Sequence, residues 1–321
     1  GRSVRMSKML TKTLMPDDTG FKDAAGILAS GGILAFPTET VYGLGADATN
    51  DVAIARIYSA KKRPKFNPLI VHFSDLAMVK NHVFWPESAE ILARAFWPGA
   101  ITFVLKKRAK SPLSRLLSAG LPSIAVRIPD HPIADRLISI FNGPIAAPSA
   151  NPAGTISSTS AEHVLNSLGG NIGGIIDGGK CKLGLESTII DLTKHPTLLR
   201  PGSITVNAVQ RALGEKLISG QTKNVVKAPG QLSSHYAPRA SVRLNATDKM
   251  DGEVLLGFGQ MDCDLNLSLN SDLTEAASNL FAYLHLLDNG RNTQIAVATI
   301  PATGLGLAIN DRLERAAAPR N

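Results

Sequence analysis

Between about Phe21 and Leu213 the chain alternates short apolar runs with longer stretches whose apolar residues recur every three or four positions. The runs ILAF (33–36), LIVHF (69–73), ITFVL (101–105), SIAVRI (123–128), PIAAP (144–148), GGIIDGG (173–179) and STIIDL (187–192) are brief and rich in β-formers, which predicts strands. Between them, DVAIARIYSAKK (51–62), SAEILARAF (88–96) and HPIADRLISIF (131–141) have the length and spacing of amphipathic helices. Alternation of this kind predicts an α/β domain, without fixing the order of strands in its sheet. Residues 214–240 carry Gly, Pro, Ser and polar residues with weak periodicity and read as a linker. Beyond it, EVLLGFG (253–259) and QIAVATI (294–300) predict buried strands, with a helix over LTEAASNLFAYLHLLDN (273–289) between them. A closing helix is expected near AINDRLERAAA (308–318). The strand–helix–strand order is consistent with a parallel crossover. The expected division is a tail (1–16), an α/β domain (17–213), a linker that could act as a lid (214–240) and a smaller α/β domain (241–321).

A chain of 321 residues accommodates two domains, and 44% hydrophobic with 19% charged residues is ordinary for a protein with a real core. No apolar run approaches the roughly 20 residues that span a bilayer. The opening GRSVRMSKML lacks the apolar core of a secretory signal, and Met6 is the expected start. Cys181 and Cys263 lie far apart and form neither a metal-ligand pair nor a disulfide framework, which points to a reducing cytoplasm. Lys and Arg number 34 against 26 acidic residues, a formal +8. That excess suits a polyanion such as a nucleotide or RNA, but mildly basic proteins that bind neither are common, so distribution has to decide.

Five segments carry candidate chemistry. In GGILAFPTETVYGLGADA (31–48) a strand stops at Pro37, and Thr38 and Thr40 precede Gly43 and Gly45, which would let backbone approach a ligand. In AKKRPKFNPLIVHF (60–73) Lys61, Lys62, Arg63 and Lys65 put four cations within five residues at a helix end. One or two would complement the helix dipole; four repel each other and suggest an anionic guest such as a triphosphate. Arg127 lies in an otherwise apolar strand, so it needs either an internal carboxylate or a substrate carboxylate as partner. In PIAAPSANPAGTISSTSAEHV (144–164) Thr159 and Glu162 have capping-box spacing, whereas Ser149, Asn151 and Ser157 are hydroxyl and amide groups that capping does not explain. Glu186, Ser187 and Thr188 enter a strand in GKCKLGLESTIIDL (179–192), and Arg200 precedes a Pro-Gly turn. No Walker loop, H-E-x-x-H or G-x-S-x-G is present, so those modes of ATP binding and hydrolysis are excluded.

Taken in order, PTETVYGLG, K-x-R-P-x-x-N-P-L-I-V-H, PSAN followed by Ser, ESTIID and LLRPG resemble the YrdC-like threonylcarbamoyl-AMP synthases. SHYAP (234–238) and GLGLAINDRLERAA (304–317) resemble the long, two-domain form in particular. The resemblance covers about Phe21 to Ala318. It implies a twisted mixed sheet with a deep basic cavity, followed by a smaller Rossmann-like α/β domain. It also implies that Thr38, His72, Arg127, Ala147 (through its backbone) and Ser187 hold L-threonine, with Arg127 on the substrate carboxylate. Lys61, Arg63, Asn67, Ser123, Ser149, Asn151, Ser157 and Arg200 would hold ATP, Tyr236 would close over the nucleotide, and Lys61 and Arg63 would be catalytic.

The implied reaction joins L-threonine, bicarbonate and ATP into threonylcarbamoyl-AMP with Mg²⁺ accompanying ATP, for modification of tRNA in the cytoplasm. The metal's ligands stay open, as does any transient contact with tRNA or a threonylcarbamoyl-transferase complex; no membrane partner is expected. One alternative is carbamoyl transfer as in hydrogenase maturation factors, whose acylphosphatase and zinc-finger segments are missing here. The other is a non-catalytic double-stranded RNA-binding protein.

Overall fold

The apolar runs of the first two-thirds of the chain are too short for helices and almost wholly buried, so they satisfy their backbone groups by pairing side by side. The computed structural model describes residues 9–64, 67–219 and 234–320. Among them, β1 (Lys12–Leu14), β2 (Leu34–Pro37), β3 (Tyr42–Asp47), β4 (Ile70–His72), β5 (Ile101–Lys106), β6 (Ser123–Arg127), β7 (Ile145–Ala146), β8 (Gly174–Ile176), β9 (Thr188–Asp191), β10 (Thr197–Arg200) and β11 (Ile218–Ser219) form one sheet. Its order is β1-β8-β2-β3-β7-β4-β6-β5-β9-β10-β11, with parallel and antiparallel neighbours mixed. The helices between them are α1 (Asp18–Ala29), α2 (Asp51–Lys61), α3 (Leu76–His82), α4 (Glu87–Phe96), α5 (Pro132–Phe141), α6 (Ala161–Leu168) and α7 (Val206–Leu213). A second sheet is wholly parallel, with β12 (Ser241–Ala246), β13 (Glu253–Gly257), β14 (Leu265–Asn266) and β15 (Gln294–Ala298) in the order β12-β15-β13-β14. It packs with α8 (Leu273–Leu287) and α9 (Leu305–Ala317). The expected parallel relation of the 253 and 294 strands is present. No described helix is long and apolar enough to cross a membrane.

The period of two along the strands decides which residues meet which layer. On β2, Leu34 and Phe36 pack with Phe21, Leu28 and Leu137 of α1 and α5. Ala35 joins the largest cluster, with Tyr42, Ile54, Phe73 and Phe103. In the middle of the sheet only one face meets that cluster, through Val71, Phe103, Ile124, Val126 and Ile190. The opposite face carries a small apolar patch of Ile70, Val104, Ala125, Ile189 and Leu199. Two residues along from four of these stand His72, Thr102, Arg127 and Ser187, all buried. A core face that ends in polar side chains is where chemistry is to be sought.

Several elements differ from the pattern reading. The strand expected to stop at Pro37, with Gly43 and Gly45 opening the backbone to a ligand, instead turns back as a hairpin in which both glycines lie inside β3. A Cβ on Gly45 would come within 2.8 Å of Phe36 Cε1 and 3.0 Å of Ile145 Cγ2, so this glycine serves strand packing rather than a ligand. The supposed tail contains β1, paired with β8. The supposed linker opens with β11 beside β10, and its residues 220–233 lie outside the described residues. The helix over 161–168 is capped by Ser160, not Thr159. Ser160 Oγ accepts from the His163 amide, and His163 Nδ1 accepts from the Thr159 amide at 3.1 Å, so His163 takes the reciprocal place expected of Glu162.

Gly45→Ala should lower stability by about 1–3 kcal/mol through overpacking against Phe36. The measurement is the thermal midpoint; an unchanged midpoint would mean that Phe36 moves aside freely.

Candidate active site

On the uncovered face, His72 at the end of β4 and Arg127 at the end of β6 are register partners in a parallel ladder. Around them a cavity is lined by Thr38, Thr40, Val41, Gly43, Arg63, Ile70, Ala147, Pro148, Ser149, Glu186, Ser187, Arg200 and His235. A roomier groove lies outside the 128–132 turn, lined by Leu76, Trp97, Pro98 and Pro129 among others. It gathers none of the buried cations of the smaller cavity, and we place the chemistry in the smaller one.

The cationic run of 61–65 splits at the helix end. Helix α2 stops at Lys61, and Lys62 adopts the left-handed cap conformation with its side chain exposed. Lys61 and Arg63 turn inward, 1% and 7% exposed; Lys65 lies outside the described residues. The Lys61 ammonium donates to the carbonyls of Ser149 and Asn151, the latter at 2.5 Å. Arg63 donates to the carbonyls of Asn67 and Pro68 at 3.3 and 2.7 Å. Arg200 donates through Nε and Nη2 to the Ser187 carbonyl at 3.0 and 2.9 Å. Gly202 permits this: a Cβ there would lie 2.4 Å from the Thr188 amide nitrogen and 2.5 Å from the Glu186 carbonyl oxygen. Burial holds the Lys61 ammonium well below its ordinary pKa, with Arg63 adding to the effect. Burial likewise brings Arg63 down to about 10 and lowers Arg200. All three cations are solvated by carbonyl dipoles, which satisfy donors without cancelling charge.

On the other side, Arg127 has an internal partner, one of the two possibilities its sequence position left open. Its Nη2 is ion-paired to Glu39 Oε1, Nη1 donates to Thr40 Oγ1 at 3.1 Å, and Nε donates to the Gly99 carbonyl at 3.1 Å. Glu39 Oε2 accepts from the Asp130 amide at 2.6 Å. Three of the five guanidinium hydrogens are therefore committed, and two remain. Burial first, and the Arg127 charge second, push the His72 pKa down to about 3, so its imidazole is neutral.

The remaining residues named from the sequence take distinct places. Thr38 Oγ1 shares a hydrogen bond with Thr40 Oγ1 at 2.8 Å and donates to the Val41 carbonyl at 2.8 Å. The Ala147 amide already donates to Ile70, which leaves its carbonyl. Ser187 Oγ bonds Thr102 Oγ1 at 2.7 Å, and Ser157 Oγ donates to Glu186 Oε2 at 3.0 Å. Ser149 lines the cavity, whereas Asn151 sits behind it through Lys61. Asn67 is buried beside Arg63. Ser123 is buried at the start of β6, outside the cavity lining. Tyr236, at φ +56°, stacks between His235 and Phe281, with ring centroids 3.9 and 5.6 Å away. Six buried polar side-chain atoms among the described residues lack a partner: Asn67 Oδ1, His72 Nδ1, Asn151 Oδ1, His235 Nδ1, Tyr236 Oη and Arg312 Nη2. All belong to this site or contact its lining, which fits a site built for a polar guest.

Two family models account for most of the chain. One, described as telomere recombination and covering Sua5, YciO and YrdC proteins, matches residues 26–202. The other, described as threonylcarbamoyl-AMP synthase C-terminal domain, matches residues 204–318. The threonylcarbamoyl-AMP synthase of Pyrococcus abyssi is 41% identical over 92% of this chain and 94% of its own length. The chain belongs to the threonylcarbamoyl-AMP synthase family. The Bacillus subtilis threonylcarbamoyl-AMP synthase is 38% identical over 97% of this chain and 96% of its own. The crystal structure of P. abyssi Sua5 complexed with L-threonine aligns with a TM-score of 0.89 and 38% identity, covering 96% of this chain and 98% of that one. The family, its mixed sheet and its smaller parallel domain thus agree with the motif strings.

Within this threonylcarbamoyl-AMP synthase fold, reasoning from sequence gave no role to Glu39, Thr102, His235 or Arg312. Glu39 sits between two threonines that were noticed, and Thr102 falls on the buried face of an apolar run. Arg312 carried the clearest missed signal. It falls within the apolar stripe Ala308, Ile309, Leu313 and Ala316 of α9, where a lone cation implies a buried partner.

Several imidazoles lie below their ordinary pKa and together set a pH dependence, His72 and His163 among them. His72 is held at about 3, and His163, half-buried and stacked on His285, at about 4. Both folded values lie below the unfolded value of about 6.5, so the unfolded chain binds protons that the folded chain refuses. Their contribution is fully present above pH 6.5 and is lost as pH falls toward 3–4. Denaturant titrations at pH 7 and pH 5 should show lower stability at pH 5, with a shallower pH slope in His163→Asn. An unchanged slope in that variant would contradict the shift.

Proposed function

We propose that this chain is a transferase that makes L-threonylcarbamoyl-AMP from L-threonine, bicarbonate and ATP and releases pyrophosphate. Within the transferases we assign it to the nucleotidyltransferases. The observation that carries the reading is the set Lys61, Arg63 and Arg200, buried and held by carbonyls rather than carboxylates beside the His72–Arg127 face. A polyphosphate supplies the negative charge that these groups lack. In this reading Arg127 offers its two uncommitted hydrogens to the threonine carboxylate, with Thr38, His72, the Ala147 carbonyl and Ser187 around the amino acid. Asn67, Ser149, Asn151, Ser157 and Arg200 hold ATP, Ser123 stands behind them, and Tyr236 covers the nucleotide.

The chemistry needs no protein nucleophile. The threonine amine takes up bicarbonate with loss of water, giving a carbamate. A carbamate oxygen then attacks the α-phosphorus, and the bond to pyrophosphate breaks. Lys61 and Arg63 neutralise charge on the phosphates as it moves to the leaving group. Among the described residues no group of three or more His, Cys, Asp or Glu stands ready to hold a metal, and Glu186 and Glu39 are already ion-paired. Mg²⁺ would accompany ATP and supply further positive charge to its phosphates beside Lys61 and Arg63. The product serves threonylcarbamoyl modification of tRNA, in the cytoplasm, by handover to a transferase that loads it. The RNA-binding alternative finds no support: a duplex grips exposed cations, and Lys61, Arg63 and Arg200 are 1%, 7% and 3% exposed.

Pyrophosphate release from MgATP should require both L-threonine and bicarbonate; release that ignores either omission contradicts the assignment. Arg63→Ala should cut that release by at least roughly tenfold while circular dichroism stays native. Near-wild-type turnover would remove the phosphate role of Arg63.

A further inference from the structure

The second domain is matched by its own family model, but nothing in the reaction above requires it. Its helix α9 nevertheless reaches the cavity through one side chain. Arg312 is 0% exposed, the bulkiest fully buried side chain among the described residues. Its Nε donates to Glu186 Oε1 at 3.2 Å, and Nη1 bonds the Pro201 carbonyl and Asp311 Oδ2. The guanidinium carbon lies 5.5 Å from the centre of the Tyr236 ring, and Nη2 has no partner.

Each Arg312 contact beyond α9 adjoins a nucleotide-side group. Glu186 lines the cavity and, through Oε2, accepts the hydroxyl of Ser157. Pro201 follows Arg200, whose guanidinium is pinned to the Ser187 carbonyl. Tyr236 stacks on His235, which itself lines the cavity. On the threonine side its reach is limited to Ser187, the neighbour of Glu186; Thr38, His72 and Arg127 are held by other groups.

We propose that Arg312 is a positioning residue for the nucleotide, the point at which the C-terminal domain sets Glu186, Ser157, the Arg200 turn and Tyr236 for ATP. The assignment rests on the functional reading above and extends it to a residue outside the catalytic domain. Glu186 is a carboxylate facing a site for a polyanion. Paired to Arg312 it organises Ser157 without presenting its full charge to the phosphates. Unpaired, it would repel them and release the Ser157 hydroxyl. The C-terminal domain thereby controls ATP affinity without touching ATP.

The test uses the full chain with Arg312→Met, Arg312→Lys, Glu186→Gln and the double variant Arg312→Met/Glu186→Gln. ATP affinity is read by calorimetry, the KM values for ATP and threonine from pyrophosphate release, and folding by circular dichroism. Arg312→Met should weaken ATP binding by about tenfold or more, raising KM for ATP well beyond any change in KM for threonine. In the double variant, with no unpaired carboxylate left, ATP affinity should return to within about threefold of Glu186→Gln alone. Arg312→Lys should fall between, because an ammonium cannot hold Glu186 and the Pro201 carbonyl with the same fork. A folded Arg312→Met that binds ATP like the wild type, or loses ATP and threonine affinity equally, overturns the proposal. Should that variant not fold, Arg312→Lys decides by the same comparison, wild-type ATP affinity being the contrary result. A wild type that releases no threonine-dependent pyrophosphate overturns the functional reading instead, and the ATP titrations still decide Arg312.

Discussion

Burying a cation removes it from water at a cost of several kcal/mol, and burying several together adds their mutual repulsion. This chain buries Lys61, Arg63, Arg127, Arg200 and Arg312 around one face of one sheet. Among the described residues three carboxylates answer them directly there, Glu39 for Arg127, and Glu186 and Asp311 for Arg312. The other three cations rest on backbone carbonyls from 67–68, 149–151 and 187. The loops that carry those carbonyls cannot move without stranding a charge, so the electrostatics fix the backbone around the cavity as firmly as the apolar core fixes the sheet. They also leave the site short of negative charge, the deficit that the proposed polyphosphate would make good.

The rest of the architecture follows from making such a place. Helices cover both faces of the β2 end of the sheet, so alternate residues there are uniformly apolar. In the middle the second face is left to loops, and alternation turns His72, Thr102, Arg127 and Ser187 onto it. The smaller domain closes the arrangement from outside. Val41, Ile156 and Leu185 of the catalytic domain belong to the same apolar cluster as Tyr236, Phe281 and Leu313. His285 donates to the Ser157 carbonyl at 2.9 Å, and the Ala237 amide donates to Gly154. Domain contact and cavity wall thus adjoin each other and share Val41 and Glu186, which is why Arg312 can matter for a ligand it does not reach.

Much of this was legible in the sequence, for reasons that can be named. Strands such as 101–106 and 123–127 announce themselves because their buried faces demand continuous apolar residues, and helices 51–61 and 132–141 because only one face does. Strand β3 stayed hidden because glycine is disfavoured in strands, and its glycines admit the close approach of Phe36 and Ile145 at Gly45 and of Ala147 at Gly43. Short edge strands β1 and β11 carry exposed residues and no pattern. At the site, cations standing in apolar surroundings were visible, whereas their partners were not. Glu39 and Glu186 look like loop acids until the fold brings Arg127 and Arg312 to them across 88 and 126 residues. Pairing over such separations is a property of topology, which local composition does not encode.

The central claim is that this cavity joins a carbamoylated threonine to the α-phosphate of ATP. The most direct measurement follows two labels at once, one on threonine carbon and one on the α-phosphorus of ATP, in the presence of bicarbonate and Mg²⁺. The account predicts a single labile product that carries both labels and does not form without bicarbonate. Labelled AMP or ADP that never carries the threonine label would contradict it.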